Sequence, residues 1–109
     1  MATTVVHCKK ESYDVYIGRG RCPVTGRKGI WGNPFAISAH CTRQESVDKH
    51  KLWLPTQPQL LRCIAELRNK TLGCWCKPKA CHGDFLAELA NVSPDAFDLW
   101  VQLIEEELK

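Results

Sequence analysis

One segment constrains the fold more than any other: Gly73-Cys74-Trp75-Cys76-Lys77-Pro78-Lys79-Ala80-Cys81-His82-Gly83-Asp84. Residues 71–76 are mostly apolar and read as a buried strand. Alternate side chains of a strand share a face, so Cys74 and Cys76 point one way and Trp75 the other. The short loop 77–80 then leads to a helix that opens at Cys81 or His82 and runs through Ala90, with Phe85, Leu86 and Leu89 facing in. A strand passing through a short loop into a helix is half of a parallel crossover unit. With 109 residues the chain has length for one such core.

The remaining pattern agrees. Residues 3–8 and 15–17 are β-branched and apolar, so each reads as a short strand. Residues 18–35 carry five glycines, two prolines and four Arg or Lys. A loop of that length inside a small domain is usually functional or mobile. Thr42-Arg43-Gln44-Glu45 is a capping box that starts a helix running to about Trp53, and Pro55 stops it. Pro58 sits in the first turn of the next helix, whose apolar face is Leu60, Leu61, Ile64, Ala65 and Leu67. Asn69-Lys70 makes a turn. Ser93-Pro94 begins an amphipathic C-terminal helix over about 94–108, with Phe97, Val101, Ile104 and Leu108 on one side. The expected fold is a single α/β domain over 1–109, with a largely parallel sheet flanked by helices in a Rossmann-like manner.

Composition bounds the function. The hydrophobic fraction is 44% and the charged fraction 25%, so disorder and fibrous repeats are excluded. No apolar run approaches the roughly 20 residues of a membrane helix. Residues 1–10 hold no apolar stretch of signal-peptide length, which predicts a cytoplasmic protein without a membrane partner. Residues 1–79 hold 14 Lys/Arg and 5 Asp/Glu (+9), and residues 80–109 hold 1 and 7 (−6), summing to the net +3. A basic body suits an anionic ligand. The seven cysteines are expected as free thiols in a reducing compartment. Cys8, Cys22, Cys41 and Cys63 are scattered and read as packing or surface residues.

Two segments carry candidate chemistry. At the helix start, free N–H groups attract anions, Gly83 allows close approach, and Lys77 and Lys79 add charge. Cys81 reads as a thiolate activated by the helix N-terminus, and His82 and Asp84 as acid, base or hydrogen-bonding groups. Two other readings stand beside this one. Cys74, Cys76, Cys81 and His82 have the ligand types of a zinc site, although the spacing is not that of paired knuckles. In the plainest reading, the cysteines are small buried hydrophobes and Asp84 caps the helix. The second segment holds Arg19 and Gly20, then Trp31, Gly32 and Asn33. An arginine between glycines can clamp a phosphate, Trp31 offers a stacking face, and Asn33 offers a donor and an acceptor. The plain alternative has Trp31 packed in the core and Asn33-Pro34 making a turn. Arg43 joins the ligand-binding set, as does Trp75.

The Trp31-Gly32-Asn33-Pro34-Phe35 box and the box at residues 72–84, preceded by an arginine-glycine element, resemble the domain-of-unknown-function 4326 family, which occurs in bacteria and phages. The resemblance spans about residues 5–91, leaving the C-terminal helix as an extension. The strand, loop and Cys-His helix start are also similar to those of another α/β family, numbered 488. The second resemblance implies an α/β fold with a pocket at this helix start, and neither implies a reaction. The reading reached from the sequence is binding of a phosphorylated, nucleotide-derived small molecule, with processing by His82, Asp84 and Cys81 left open. No cofactor is expected. Three alternatives are a phage-type protein that sequesters a host nucleotide signal in the host cytoplasm, a zinc-stabilised structural module, and a nucleic-acid-binding module. The sequence leaves the oligomeric state open.

Overall fold

Three short strands build the centre of the molecule, whose computed structural model describes residues 2–108. They are β1 (Thr4–His7), β2 (Val15–Tyr16) and β3 (Thr71–Cys74), in the order β1-β3-β2. Both pairings are parallel. Val5 and Val15 lie on either side of Leu72, and Val6 and Tyr16 on either side of Gly73. β3 is therefore paired along both edges and reads as a nearly continuous apolar run, as buried parallel strands do.

The helices are α1 (Arg43–Trp53), α2 (Pro58–Cys63), α3 (His82–Asn91) and α4 (Pro94–Glu107). The Thr42–Glu45 capping box forms in full: Glu45 N–H donates to Thr42 Oγ1 at 3.1 Å, and Thr42 N–H donates to the Glu45 carboxylate at 3.3 Å. Ser93 accepts from Ala96 N–H, and Pro94 opens α4. Asn69 turns the chain into β3 with a positive φ of 61°, a conformation asparagine tolerates better than most residues.

Leu72 and Cys74 share the sheet face that receives the helices, and the main core joins them to Ile17, Leu54, Leu61, Ile64, Leu67 and Leu86. The opposite face carries a second, smaller cluster of Cys8, Tyr16 and Cys22 with Tyr13 against it. The β1-to-β2 crossover at residues 8–14 makes this possible. It has no helix, and it passes over β3 with the Tyr13 ring against Gly73. A Cβ on Gly73 would lie 2.5 Å from Tyr13 Cγ, so the crossover needs glycine there.

Several boundaries differ from the sequence expectation. β3 stops at Cys74 rather than Cys76, because its last ladder bond is Cys8 N–H to Cys74 C=O and β1 offers no residue beyond it. Trp75 and Cys76 leave the sheet. The helix expected to include Ile64, Ala65 and Leu67 is α2 followed by a 3₁₀ turn at Ile64–Leu67. Leu61, Ile64 and Leu67 are all fully buried, and a spacing of three favours the tighter winding. Another 3₁₀ turn, Leu54–Thr56, links α1 to α2. In α4, Phe97 and Val101 are buried, while Leu108, expected on the apolar side, is exposed at the helix end where nothing packs on it.

Candidate functional site

At the carboxyl ends of β2 and β3, where open α/β domains place ligands, the structure forms a cavity of about 210 Å³. The chain leaving β2 supplies Gly18 and Arg19. The chain leaving β3 supplies Cys74, Trp75 and Cys76. The start of α3 supplies Cys81 and His82, and α1 supplies Arg43, Ser46 and Val47. Asn33 and His82, drawn from the two sequence boxes, line this one cavity.

Arg19 is exposed at the rim. Arg43 is half-buried and donates from an Nη atom to the Ala80 carbonyl at 3.2 Å, tying α1 to the 77–80 loop. Trp75 is 48% exposed. Its indole N–H donates to the Tyr16 hydroxyl at 2.7 Å, Lys9 Nζ stands 5.4 Å from its ring centroid, and His7 meets it edge-on. The cavity therefore pairs two guanidinium groups with an accessible indole.

His82 is buried, with Nε2 2.8 Å from the Ile17 carbonyl. Its ring meets that of His50 edge-to-face, with centroids 5.1 Å apart. Burial lowers the pKa of both imidazoles, and that of His50 falls to about 4. A helical pattern marks His50 only as part of the apolar face of α1, so its pairing with His82 emerges only from the fold.

Cys81 caps α3 and lies 3.5 Å, sulfur to sulfur, from Cys74. The surroundings favour negative charge on Cys74 over Cys81, where the sequence placed it. The Cys81 thiol, the backbone N–H groups of Lys77 and Cys76, and the Lys77 ammonium all stabilise charge on Cys74 and lower its pKa. Cys81 shifts upward, because it is paired with the Cys74 sulfur, is buried, and faces the Asp84 carboxylate. All seven cysteines are free thiols.

Four expected roles are corrected. Asp84 is outside the cavity. One carboxylate oxygen accepts from Cys81 N–H at 3.2 Å and the other pairs with Lys77, so it caps its own helix and occupies the helix start proposed for an anion. Gly83 faces the sheet: a Cβ there would lie 2.5 Å from Ile17 Cδ1 and 3.2 Å from Val5. Its missing side chain lets α3 approach the strands, and it does not open the cavity. Trp31 is 4% exposed and belongs to the core, so it offers no stacking face. Asn33 lies on the cavity wall. It fixes a turn onto α1, with its amide nitrogen committed to Ser46 and its oxygen to Phe35 N–H.

Gly20 and Gly32 are not on the cavity wall. Gly20 holds a positive φ of 70° in the turn after Arg19, and Gly32 packs under the Arg19 backbone, where a Cβ would lie 3.1 Å from Cα. The set Cys74, Cys76, Cys81 and His82 is not drawn together as ligands. Among the described residues no three His, Cys, Asp or Glu side chains converge.

The opposite face holds a wider groove of about 710 Å³ that includes Lys9, Lys10, Arg27 and Lys28. There the Tyr13 hydroxyl lies 3.1 Å from Cys22 Sγ. Hydrogen bonds from Thr25 and Tyr13 lower the Cys22 thiol to about 6, and the same contact raises Tyr13 to about 12. Cys22 gives no sign of this in the sequence, because its partners lie in the crossover and in the loop.

Fold and site together define a small parallel α/β domain with an arginine-rimmed cavity at the carboxyl edge of its sheet. The chain belongs to the DUF4326 family, described as "Domain of unknown function", which matches residues 5–92. α4 lies beyond that match. Relatives occur in viruses. "Uncharacterized protein R718" of Acanthamoeba polyphaga mimivirus is 30% identical over 110 residues, covering 91% of this chain and 82% of that protein. The "Uncharacterized 12.4 kDa protein in nrdA-td intergenic region" of Enterobacteria phage T4 is 33% identical over 91 residues, covering 80% and 76%. No solved structure matches the chain. Among the described residues, no helix is long and apolar enough to cross a membrane.

Proposed function

We propose that this domain binds a phosphorylated, nucleotide-derived small molecule in the cavity between Arg19, Arg43 and Trp75. The observation that carries the reading is the joining of two guanidinium groups and an exposed indole in one hollow. Guanidinium groups grip phosphate in a bidentate fashion, and an indole stacks on a base. A volume near 210 Å³ suits one ring system, with its phosphate at the Arg19 rim. No carboxylate lines the wall among the described residues, so the mouth attracts anions and offers no carboxylate acid or base. Binding is therefore the activity the geometry supports best.

Calorimetric titration with nucleoside mono- and diphosphates tests it. Saturable binding is expected, weakened about 10- to 100-fold in Arg43→Ala, the scale of a lost hydrogen bond to a charged group. The absence of binding by every compound, or undiminished binding by an Arg19→Ala, Arg43→Ala double variant, would overturn it.

The basic groove with Lys9, Lys10, Arg27 and Lys28 favours a second reading, nucleic-acid binding. Phosphate contacts give an affinity that falls steeply with salt. Retention of an oligonucleotide with such a slope, lost on reversing the charge of Lys9 and Lys10, would support it over the first.

A further inference from the structure

We propose that Cys74 and Cys81 form a peroxide-oxidisable dithiol in the floor of the cavity, converted by a small peroxide into a disulfide. Their sulfurs already lie 3.5 Å apart. A disulfide is about 2.05 Å long, so roughly 1.5 Å of closure suffices. Both ends are held by secondary structure. Cys74 is the last residue of β3, anchored by Cys8 N–H, and Cys81 caps α3, anchored by Asp84. The pair is juxtaposed by the fold and not by chance collisions of a loop.

Access selects the oxidant. Cys74 and Cys81 are 1% and 2% exposed, yet both line the cavity. A protein thiol or a bulky disulfide cannot reach them through a hollow of about 210 Å³, whereas hydrogen peroxide or a small organic peroxide can. The two sulfurs also differ in surroundings. The Lys77 ammonium stands by both. Backbone N–H groups of Cys76 and Lys77 face Cys74, whereas Cys81 has the N–H of Gly83 and faces the Asp84 carboxylate. Cys74 is therefore the attacking sulfur and Cys81 the resolving one.

The chemistry balances in two steps. The Cys74 thiolate attacks one peroxide oxygen, the O–O bond breaks, and hydroxide leaves to become water with the proton shed by the thiol. Cys74 is then a sulfenic acid. Cys81 Sγ attacks Cys74 Sγ, the S–O bond breaks, and the second hydroxide leaves with the Cys81 proton. Two thiols and one hydrogen peroxide become one disulfide and two waters; an organic hydroperoxide yields one water and its alcohol.

The test uses the full reduced chain, hydrogen peroxide as the probe, and peptide mapping without reductant. The expected product joins Cys74 to Cys81, is two hydrogens lighter than the dithiol, and reverts with dithiothreitol. In Cys81→Ala, a dimedone-reactive sulfenic acid is expected to accumulate on Cys74. Mapping of the unaltered chain decides the matter even where a variant fails to fold. Oxidation that leaves this pair as thiols, or that joins Cys74 to Cys8 or Cys76, would overturn the proposal. So would peroxide labelling of Cys81 in Cys74→Ala at the rate seen for Cys74 in the parent.

Discussion

His50 is 1% exposed, sits among the rings of Trp53, His82 and Phe85, and has no partner for Nδ1. Burial first, and then the neighbouring His82, lower its pKa to about 4 from an ordinary 6.5. The folded chain therefore refuses a proton that the unfolded chain accepts between these values. The His50 contribution to stability is full above pH 6.5 and declines as pH falls towards 4. The loss levels off at about 3 kcal/mol, because each pH unit between the two values costs about 1.36 kcal/mol. His82 adds to the loss in the same direction. Equilibrium unfolding across this range is expected to show the decline. His50→Leu should flatten most of it without loss at pH 7, because it also removes an unpaired buried nitrogen. An unchanged acid limb in that variant would assign the sensitivity elsewhere.

Asp84 shows how a charged residue next to a cavity can belong to the helix and not to the ligand. Its carboxylate receives Cys81 N–H and the Lys77 ammonium. Asp84→Ala is expected to lower stability by about 1 kcal/mol, the scale of a lost cap, while leaving nucleotide affinity intact or improved. A large loss of affinity with an unchanged melt would return Asp84 to the site.

At the scale of elements, glycine at two positions sets how closely the layers approach. Gly73 admits the Tyr13 ring and hence the crossover at residues 8–14, and Gly83 admits Ile17 and Val5 beneath α3. Each new Cβ would meet a neighbour at 2.5 Å. Gly73→Ala strikes a rigid ring, whereas Gly83→Ala strikes the tip of a buried isoleucine that can turn to another rotamer. Thermal or denaturant unfolding should show both destabilised by about 1–3 kcal/mol, with Gly73→Ala the worse. Because Gly83 does not border the cavity, Gly83→Ala that remains folded should keep its ligand affinity.

For the whole molecule, local signals were legible and spatial ones were not. The Thr42 capping box, Ser93-Pro94 and the passage from β3 to α3 are encoded within a few residues each, and all three form. The parallel sheet followed from the alternation of strands and helices. The strand end at Cys74 depends on where β1 stops pairing, which no property of residues 74–76 announces. Trp31 and Trp75 are equally aromatic, yet the fold buries the first and exposes the second. Asn33 offers a donor and an acceptor by its chemistry, and Ser46 and Phe35 take both. His50 looks like one residue of a mixed helical face until α3 brings His82 against it. Arg19, Arg43, Trp75, Cys81 and His82 stand out by local chemistry and do meet at the cavity. Gly83 and Asp84, which stand out on the same grounds, serve helix packing and capping.

The cavity and the groove share no lining residue, so the location of binding is the most direct test of the account. Amide and side-chain chemical shifts followed by nuclear magnetic resonance, while a nucleoside monophosphate is added, would locate it. The account predicts saturable shifts at Arg19, Arg43 and residues 80–82, with the Trp75 indole, which touches Lys9 and Tyr16 of the groove, set aside as a reporter. Shifts confined to Lys9, Lys10, Arg27 and Lys28, with the cavity residues unmoved, would contradict it.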